Sequence, residues 1–445
     1  MLISAQDNFS TNKISEIFQT LKPEKEWSFE GCTQSQTGKW THGYHRYPAK
    51  FIPQLAEKLM GEYITGSKAH INDPFMGSGT TIASAISKGF KASGTDVNGI
   101  AYLMTKVKAS PIDPQYLDKK LGQFLAKLTH IHNQQTSFFT NGNTPIIPTQ
   151  HLERIDYWFH ENNKIALGRI LAVIHNEEDE SIRDFLRVGF SHILKSCSIW
   201  LQGSTKPTRD LKKSPSDPYT TLRRHLKKMQ RGNDVFYEIV PHDVKNQLQN
   251  YLNVRLDDAR HQPVTEESVD LIVSSSPYVT SYEYADLHQL STIWLELASD
   301  LSQYRQDFIG TSHKNYADKI LKGEFANQIV SEMETKDRKM AREIAAYFID
   351  MQEVFDESYR ILKHGGRCCY VIGNTKLKKV AILNAEAFVE GLLHSGFSLE
   401  KIIVREIPLK ILPQKRDEKT GRFASNEDAD SQAYPIEYIV IGVKE

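Results

Sequence analysis

From Tyr44 to about Ala109, short apolar runs alternate with stretches of helical periodicity. "HINDPF" predicts a short strand, "TTIASAISKGF" a helix, "KASGTDV" a second strand and "NGIAYLMTKVKA" a second helix. Strand–helix–strand–helix at this spacing predicts a parallel sheet with crossover helices. From about Ser110 to Gln249 the texture changes. "DYWFHENNKIALGRILAVIHN" and "ESIRDFLRVGFSHILKSCSIWL" are amphipathic at helical period and carry no strand signal. That region predicts a mostly helical insertion. Alternation resumes at "NVRLDDAR" and "VDLIVSSSPY", and a polar helical stretch follows over about Ser299–Ala345. "YFIDMQEVFDESYRILKHGGRCCYVIGN" then predicts a helix, a turn at Gly365-Gly366 and an apolar strand. "AEAFVEGLLHSGF" and "YPIEYIVIGVKE" close with a helix and a last strand.

Composition narrows this picture. Lys+Arg and Asp+Glu both number 55 in 445 residues, so any attraction to a polyanion or membrane must come from local patches. Hydrophobic content of 40% fits a globular chain. No run approaches the length of a bilayer span, and the start lacks a basic-then-apolar leader, so the expected location is cytoplasmic. Cys32, Cys197, Cys368 and Cys369 show no metal spacing; Cys368 and Cys369 are adjacent in an apolar strand and cannot face one ligand, which predicts buried packing.

The chemistry is concentrated at two strand ends. In "NDPFMGSGTT", Gly77 and Gly79 fall between a strand and a helix, where glycine permits positive φ and close approach of a ligand. Asp96 ends the next strand about twenty residues on, where a carboxylate can accept both ribose hydroxyls. The turn has no Gly-Lys-Ser/Thr ending, which argues against a nucleoside triphosphate. The second strand end is "DLIVSSSPYVTSYEYADL", which delivers Ser275, Ser276, Pro277 and Tyr278 to a loop.

Together with upstream "HGYHRYPAKFIP", these segments resemble the S-adenosylmethionine-dependent DNA methyltransferases that modify exocyclic amines, the cytosine-N4 / adenine-N6 group with a Ser/Asp/Asn-Pro-Pro-aromatic catalytic loop. The resemblance covers about Thr41–Ala109 and Arg255–Glu445. It implies a Rossmann-like class I methyltransferase sheet (α/β) with a large helical insertion, and S-adenosylmethionine as cofactor. Phe75, Gly77 and Gly79, with Asp73 and Thr80 beside them, would line the methionine end; Asp96 would hold the ribose and Asp258 the adenine amino group. Tyr47, Pro48, Lys50 and Phe51 resemble the segment closing over the methionine, Lys50 being either a carboxylate partner or a solvated lysine. The implied division is an N-terminal extension (1–40), a cofactor-binding first part (41–109), the insertion as target-recognition region (110–250) and a second catalytic part (251–445).

An exocyclic amine has its lone pair delocalised into the ring. A site must therefore accept its N–H bonds and aim the nitrogen at the methyl donor. Ser275 Oγ and the backbone carbonyl of residue 276 are suitable acceptors, and Tyr278 offers a face for an extruded base. Position 275 carries no acid, which favours the cytosine-N4 form over adenine-N6. Ser276 stands where the family has proline; its carbonyl survives the change, and Pro277 still steers it toward extended geometry. Tyr282, Tyr284 and His288 either line the base pocket or pack beneath the loop.

Lys206, Arg209, Lys212, Lys213, Arg223, Arg224, Lys227, Lys228 and Arg231 form a basic stripe in the insertion, suited to phosphates of double-stranded DNA. "QKRDEKTGRF" is a second basic loop. A cognate restriction endonuclease is an implied partner; no membrane and no metal are expected. The alternatives are an adenine-N6 enzyme, an RNA base methyltransferase and a catalytically silent DNA-binding subunit.

Overall fold

The structure is a computed structural model; it describes residues 2–445 apart from 5–8, 48–50, 134–143, 205, 280–283, 299, 301–303, 312–315, 317, 408–414, 417–422, 425–430 and 433–435. Its centre is a seven-stranded sheet. β1 (His70–Asp73) pairs in parallel with β2 (Lys91–Asp96) on one side and β4 (Val269–Ser275) on the other. β3 (Leu252–Leu256) extends the β2 edge, and β5 (Leu362–Ile372) lies parallel to β4. β6 (Ser398–Glu406) is the far edge, and β7 (Ile436–Val443) runs antiparallel between β5 and β6. The order is therefore β3-β2-β1-β4-β5-β7-β6. This is the Rossmann-like methyltransferase sheet, with strand order reversing between β1 and β4, where such sheets bind ligands.

Both faces of the sheet are covered, so β1, β2 and β4 are buried along most of their length rather than at alternate residues. Cys368 packs into the cluster of Ile272, Phe355 and Phe388, and Cys369 into the opposite one with Ile71, Leu271 and Ile439. Helices α1 (Thr80–Ser87) and α2 (Gly99–Ala109) follow β1 and β2. Between α2 and β3 the regular elements are helical, chiefly Pro114–Asn133, Glu161–His175, Glu180–Leu194 and α3 (Pro218–Ile239). Their apolar faces share one core with α2: Ile100, Met104 and Val107 meet Leu171, Phe185, Phe190, Leu222 and Met229. The N-terminal residues also join the body. Ile3 bridges Leu399 on β6, Pro23 bridges Val404, and Ile14 and Trp27 are fully buried.

One reading of the sequence needs correction here, and one strand was left unread. Gly365-Gly366 is not a turn. α4 (Arg338–Ile361) runs straight into β5, and the glycines lie in an irregularity of that strand, where Val269 faces Leu362 but Leu271 faces Arg367. Gly365 absorbs it at φ +75°. The strand β6 was not foreseen: "SLEKIIVRE" has neither strict alternation nor an uninterrupted apolar run longer than three residues.

Candidate active site

After Asp73 the chain turns through Pro74–Gly79 into α1, with Gly77 at φ +46° and Gly79 at φ +74°. The turn is clamped by α2. Thr105 Oγ1 donates to the Gly77 carbonyl (3.1 Å), and Nζ of the fully buried Lys108 donates to that of Ser78 (2.7 Å). A Cβ at Gly79 would stand 2.8 Å from Thr105 Oγ1 and 2.9 Å from its Cα, so no other residue fits. Asp96 accepts from Gly77 N and Asn98 N, both at 2.9 Å. Burial pushes its carboxyl up to about 6, against those two hydrogen bonds. Asp73 is pushed up to about 7, again by burial; its Oδ1 accepts from Ser274 Oγ (2.7 Å) and Phe75 N (3.1 Å). It thereby ties the end of β1 to the end of β4.

The two strand ends open into one cavity of about 460 Å³. Tyr47, Phe51, Asp73, Phe75, Gly77, Thr80, Asp96 and Asp258 line one part; Ser275, Pro277 and Tyr278 line another. Gly79 lies in the turn behind this lining. Ser276 does not line it: the residue is 2% exposed, with Oγ directed at the Val371 carbonyl 3.5 Å away. Tyr278 is held by its hydroxyl, which donates to Glu437 Oε1 on β7 (2.9 Å). Asp258 faces the cavity while Arg260 Nε contacts both its oxygens (2.9 and 3.0 Å). Ser78 Oγ, at the same cavity, is buried and has no hydrogen-bond partner among the described residues. A glycine cradle, an orphaned hydroxyl and a two-oxygen acceptor at the end of β2 fit an adenosyl amino acid.

The far wall was not foreseen. It comes from Asp286, Arg305, Asp307–Thr311 and Glu343, with Arg305 Nη2 paired to Asp286 Oδ1 (2.6 Å). These residues, polar and apolar, are scattered from 286 to 343 outside any motif, and no sequence signal marks them. Pro48 and Lys50 lie outside the described residues, as do Tyr282 and the side chain of Tyr284. His288 packs beneath the site: its ring stacks on Tyr47 (4.9 Å, 24°) and does not line the cavity.

Behind Tyr47 runs a row of imidazoles, three of them buried and His192 largely so. His45 meets His288 (6.5 Å) and His192 (5.4 Å), and His192 stacks on His225 at 3.7 Å and 4°. Burial is the main cause lowering all four; His45 falls to about 3, and His225 and His288 to about 4. His225 Nε2 meets the Tyr44 carbonyl at 2.8 Å. The row ends on α3, whose outer face carries Arg223, Arg224, Lys227, Lys228 and Arg231, all exposed. Arg223 is partly engaged, donating to Thr129 Oγ1 (2.6 Å). Lys206, Arg209 and Lys212 project from the preceding loop, with the Arg209 guanidinium 4.2 Å from the centre of the Tyr157 ring. Lys213 is a correction: Nζ donates to the carbonyls of Lys195 (2.8 Å) and Trp200 (2.6 Å), so it tethers its loop. Of "QKRDEKTGRF", all but Lys415, Arg416 and Phe423 lie outside the described residues.

No family model matches the chain. Among curated proteins, it is 27% identical over 410 residues to the type II methyltransferase M.MvaI of Kocuria varians, covering 86% of this chain and 88% of that one. It resembles type II methyltransferases along most of its length. M.AvaI of Nostoc sp. is 22% identical over 83% of this chain and 82% of its own. M.BsoBI of Geobacillus stearothermophilus is 19% identical over 83% of each. Each alignment spans 83% or more of this chain, whereas the residues outside 110–250 make up only about two thirds of it, so each takes in part of the helical segment as well.

Proposed function

We propose that this chain is a site-specific DNA methyltransferase that transfers a methyl group from S-adenosylmethionine to an exocyclic amine, cytosine N4, of an extruded base. One observation carries the reading: the glycine turn after β1 and the Ser275–Tyr278 loop after β4 open into the same cavity. The type II methyltransferases similar to it over most of their length support the class of reaction.

Asp96, Gly77, Phe75 and Asp258 would hold the cofactor, which when bound supplies an electrophilic methyl on a sulfonium. The remaining work falls to the chain. Ser275 Oγ, which lines the cavity, accepts an N–H bond of the amine, and the Tyr278 face stacks on the base; the residue 276 carbonyl, expected as a second acceptor, lies behind the lining. The Glu437 hydrogen bond fixes that ring in advance, so little ordering is left for the moment of binding. With serine rather than an acid at 275, the pocket suits cytosine. The exposed cations of α3 and of the loop before it would meet the phosphates, with a cognate restriction endonuclease as functional partner. Among the described residues, no helix is long and apolar enough to cross a membrane and no His/Cys/Asp/Glu group could hold a metal.

The test is transfer of labelled methyl groups to duplex DNA, with RNA as control and nucleoside mass spectrometry to identify base and atom. Tyr278→Ala should abolish transfer and leave S-adenosylhomocysteine binding unchanged. Methylated RNA alone, or undiminished transfer by that variant, refutes the assignment. N6-methyladenine refutes the choice of base.

A further inference from the structure

We propose that Tyr347 is a positioning residue that holds the catalytic loop where a second proline would otherwise stiffen it; this rests on the function proposed above. Ser276 leaves one backbone torsion unlocked that proline would fix. Its own hydroxyl does not compensate, because 3.5 Å to the Val371 carbonyl is too long for a firm hydrogen bond. The restraint comes from α4. Tyr347, 2% exposed, donates its hydroxyl to the Pro277 carbonyl at 2.8 Å. That bond fixes the peptide plane that lies between the two groups assigned to the base, Ser275 Oγ and the Tyr278 ring.

The same helix face ties the loop to the opposite wall of the cavity. Asp350, three residues on, is fully buried; it accepts from Gly310 N (2.9 Å) and pairs with Arg260 Nη1 (2.7 Å). Gly310 packs so closely on Tyr347 that a Cβ there would stand 2.9 Å from the tyrosine Cβ, and its φ is +71°. Loop, wall and the Arg260–Asp258 pair therefore share one rigid support. A proline restricts a loop roughly twofold to fivefold in population and a buried hydrogen bond roughly twofold to tenfold, so one can stand in for the other.

Tyr347→Phe removes the hydroxyl and keeps the packing. Its kcat should fall about tenfold, with S-adenosylhomocysteine affinity within about twofold of the parent. Amides of Ser276, Tyr278 and Val279 should exchange hydrogen at least about threefold faster, while those of β4 do not change. Adding Ser276→Pro to that variant should recover most of the missing kcat and slow the loop's exchange again. Unchanged loop exchange, or cofactor affinity falling in step with kcat, overturns the proposal, as does a double variant no better than the single one. If the parent methylates no DNA, the proposed function has failed, yet the exchange comparison still decides the role of Tyr347.

Discussion

Replacing His225 by glutamine removes one ring from the buried row while leaving a donor for the Tyr44 carbonyl. In the folded protein this imidazole stays neutral down to about pH 4; in the unfolded chain it takes up a proton below about 6.5. Between those values the unfolded state binds more protons, so acidification favours unfolding and the contribution of neutral His225 is complete only above 6.5. At 1.36 kcal/mol per pH unit, lowering the pH from 7.5 to 5 costs the parent about 2 kcal/mol through this one residue. Glutamine does not titrate. The stability difference between parent and variant should therefore shift by about 2 kcal/mol against the parent over that interval. Asp73 and Asp96, whose raised values act in the opposite sense and stabilise toward acid, titrate in both proteins and cancel. Urea unfolding of both proteins at pH 5, 6, 7 and 7.5 gives the difference directly. A difference that stays constant across the series would mean that the ring reaches solvent or is already charged, and the buried-row reading fails.

Gly79→Ala forces a Cβ against Thr105 at a left-handed φ, and should cost about 1–3 kcal/mol of stability and most S-adenosylhomocysteine affinity, read by thermal unfolding and calorimetry. In the parent that affinity should decline as pH falls below about 6, where Asp96 takes up a proton and loses acceptor capacity; in Asp96→Asn it should be weak at every pH. Replacing Arg224, Lys227, Lys228 and Arg231 by alanine should weaken duplex binding. For each phosphate left without its cation, the slope of log K against log salt should flatten by about 0.9, with cofactor affinity unchanged. An unaltered slope would remove α3 from the interface.

What the sequence discloses here depends on how far apart the partners of an interaction lie. The glycine turn and Asp96 are legible because strand, turn, helix and strand follow one another within a few dozen residues and each has its own local pattern. The basic face of α3 is legible for the same reason, since a helix repeats on itself. Lys213 is misread because its partners, the carbonyls of Lys195 and Trp200, have no letter in the sequence. Tyr347 bonds a carbonyl seventy residues away, and the four histidines come from four separate segments. Their meaning arises only on packing. Ser276 is the intermediate case: its departure from the family pattern is visible, whereas the tyrosine that compensates is not.

Ile71 lies beside Leu271, and His70 N donates to Asp270, across about two hundred intervening residues. During synthesis the glycine turn and α2 therefore leave the ribosome long before their neighbouring strand exists. Until β4 is translated, one edge of the four-residue β1 is unpaired, and the apolar face of α2 has only the newly made helices to cover it. Those helices, finished first, cover that face of α2 before the sheet is complete.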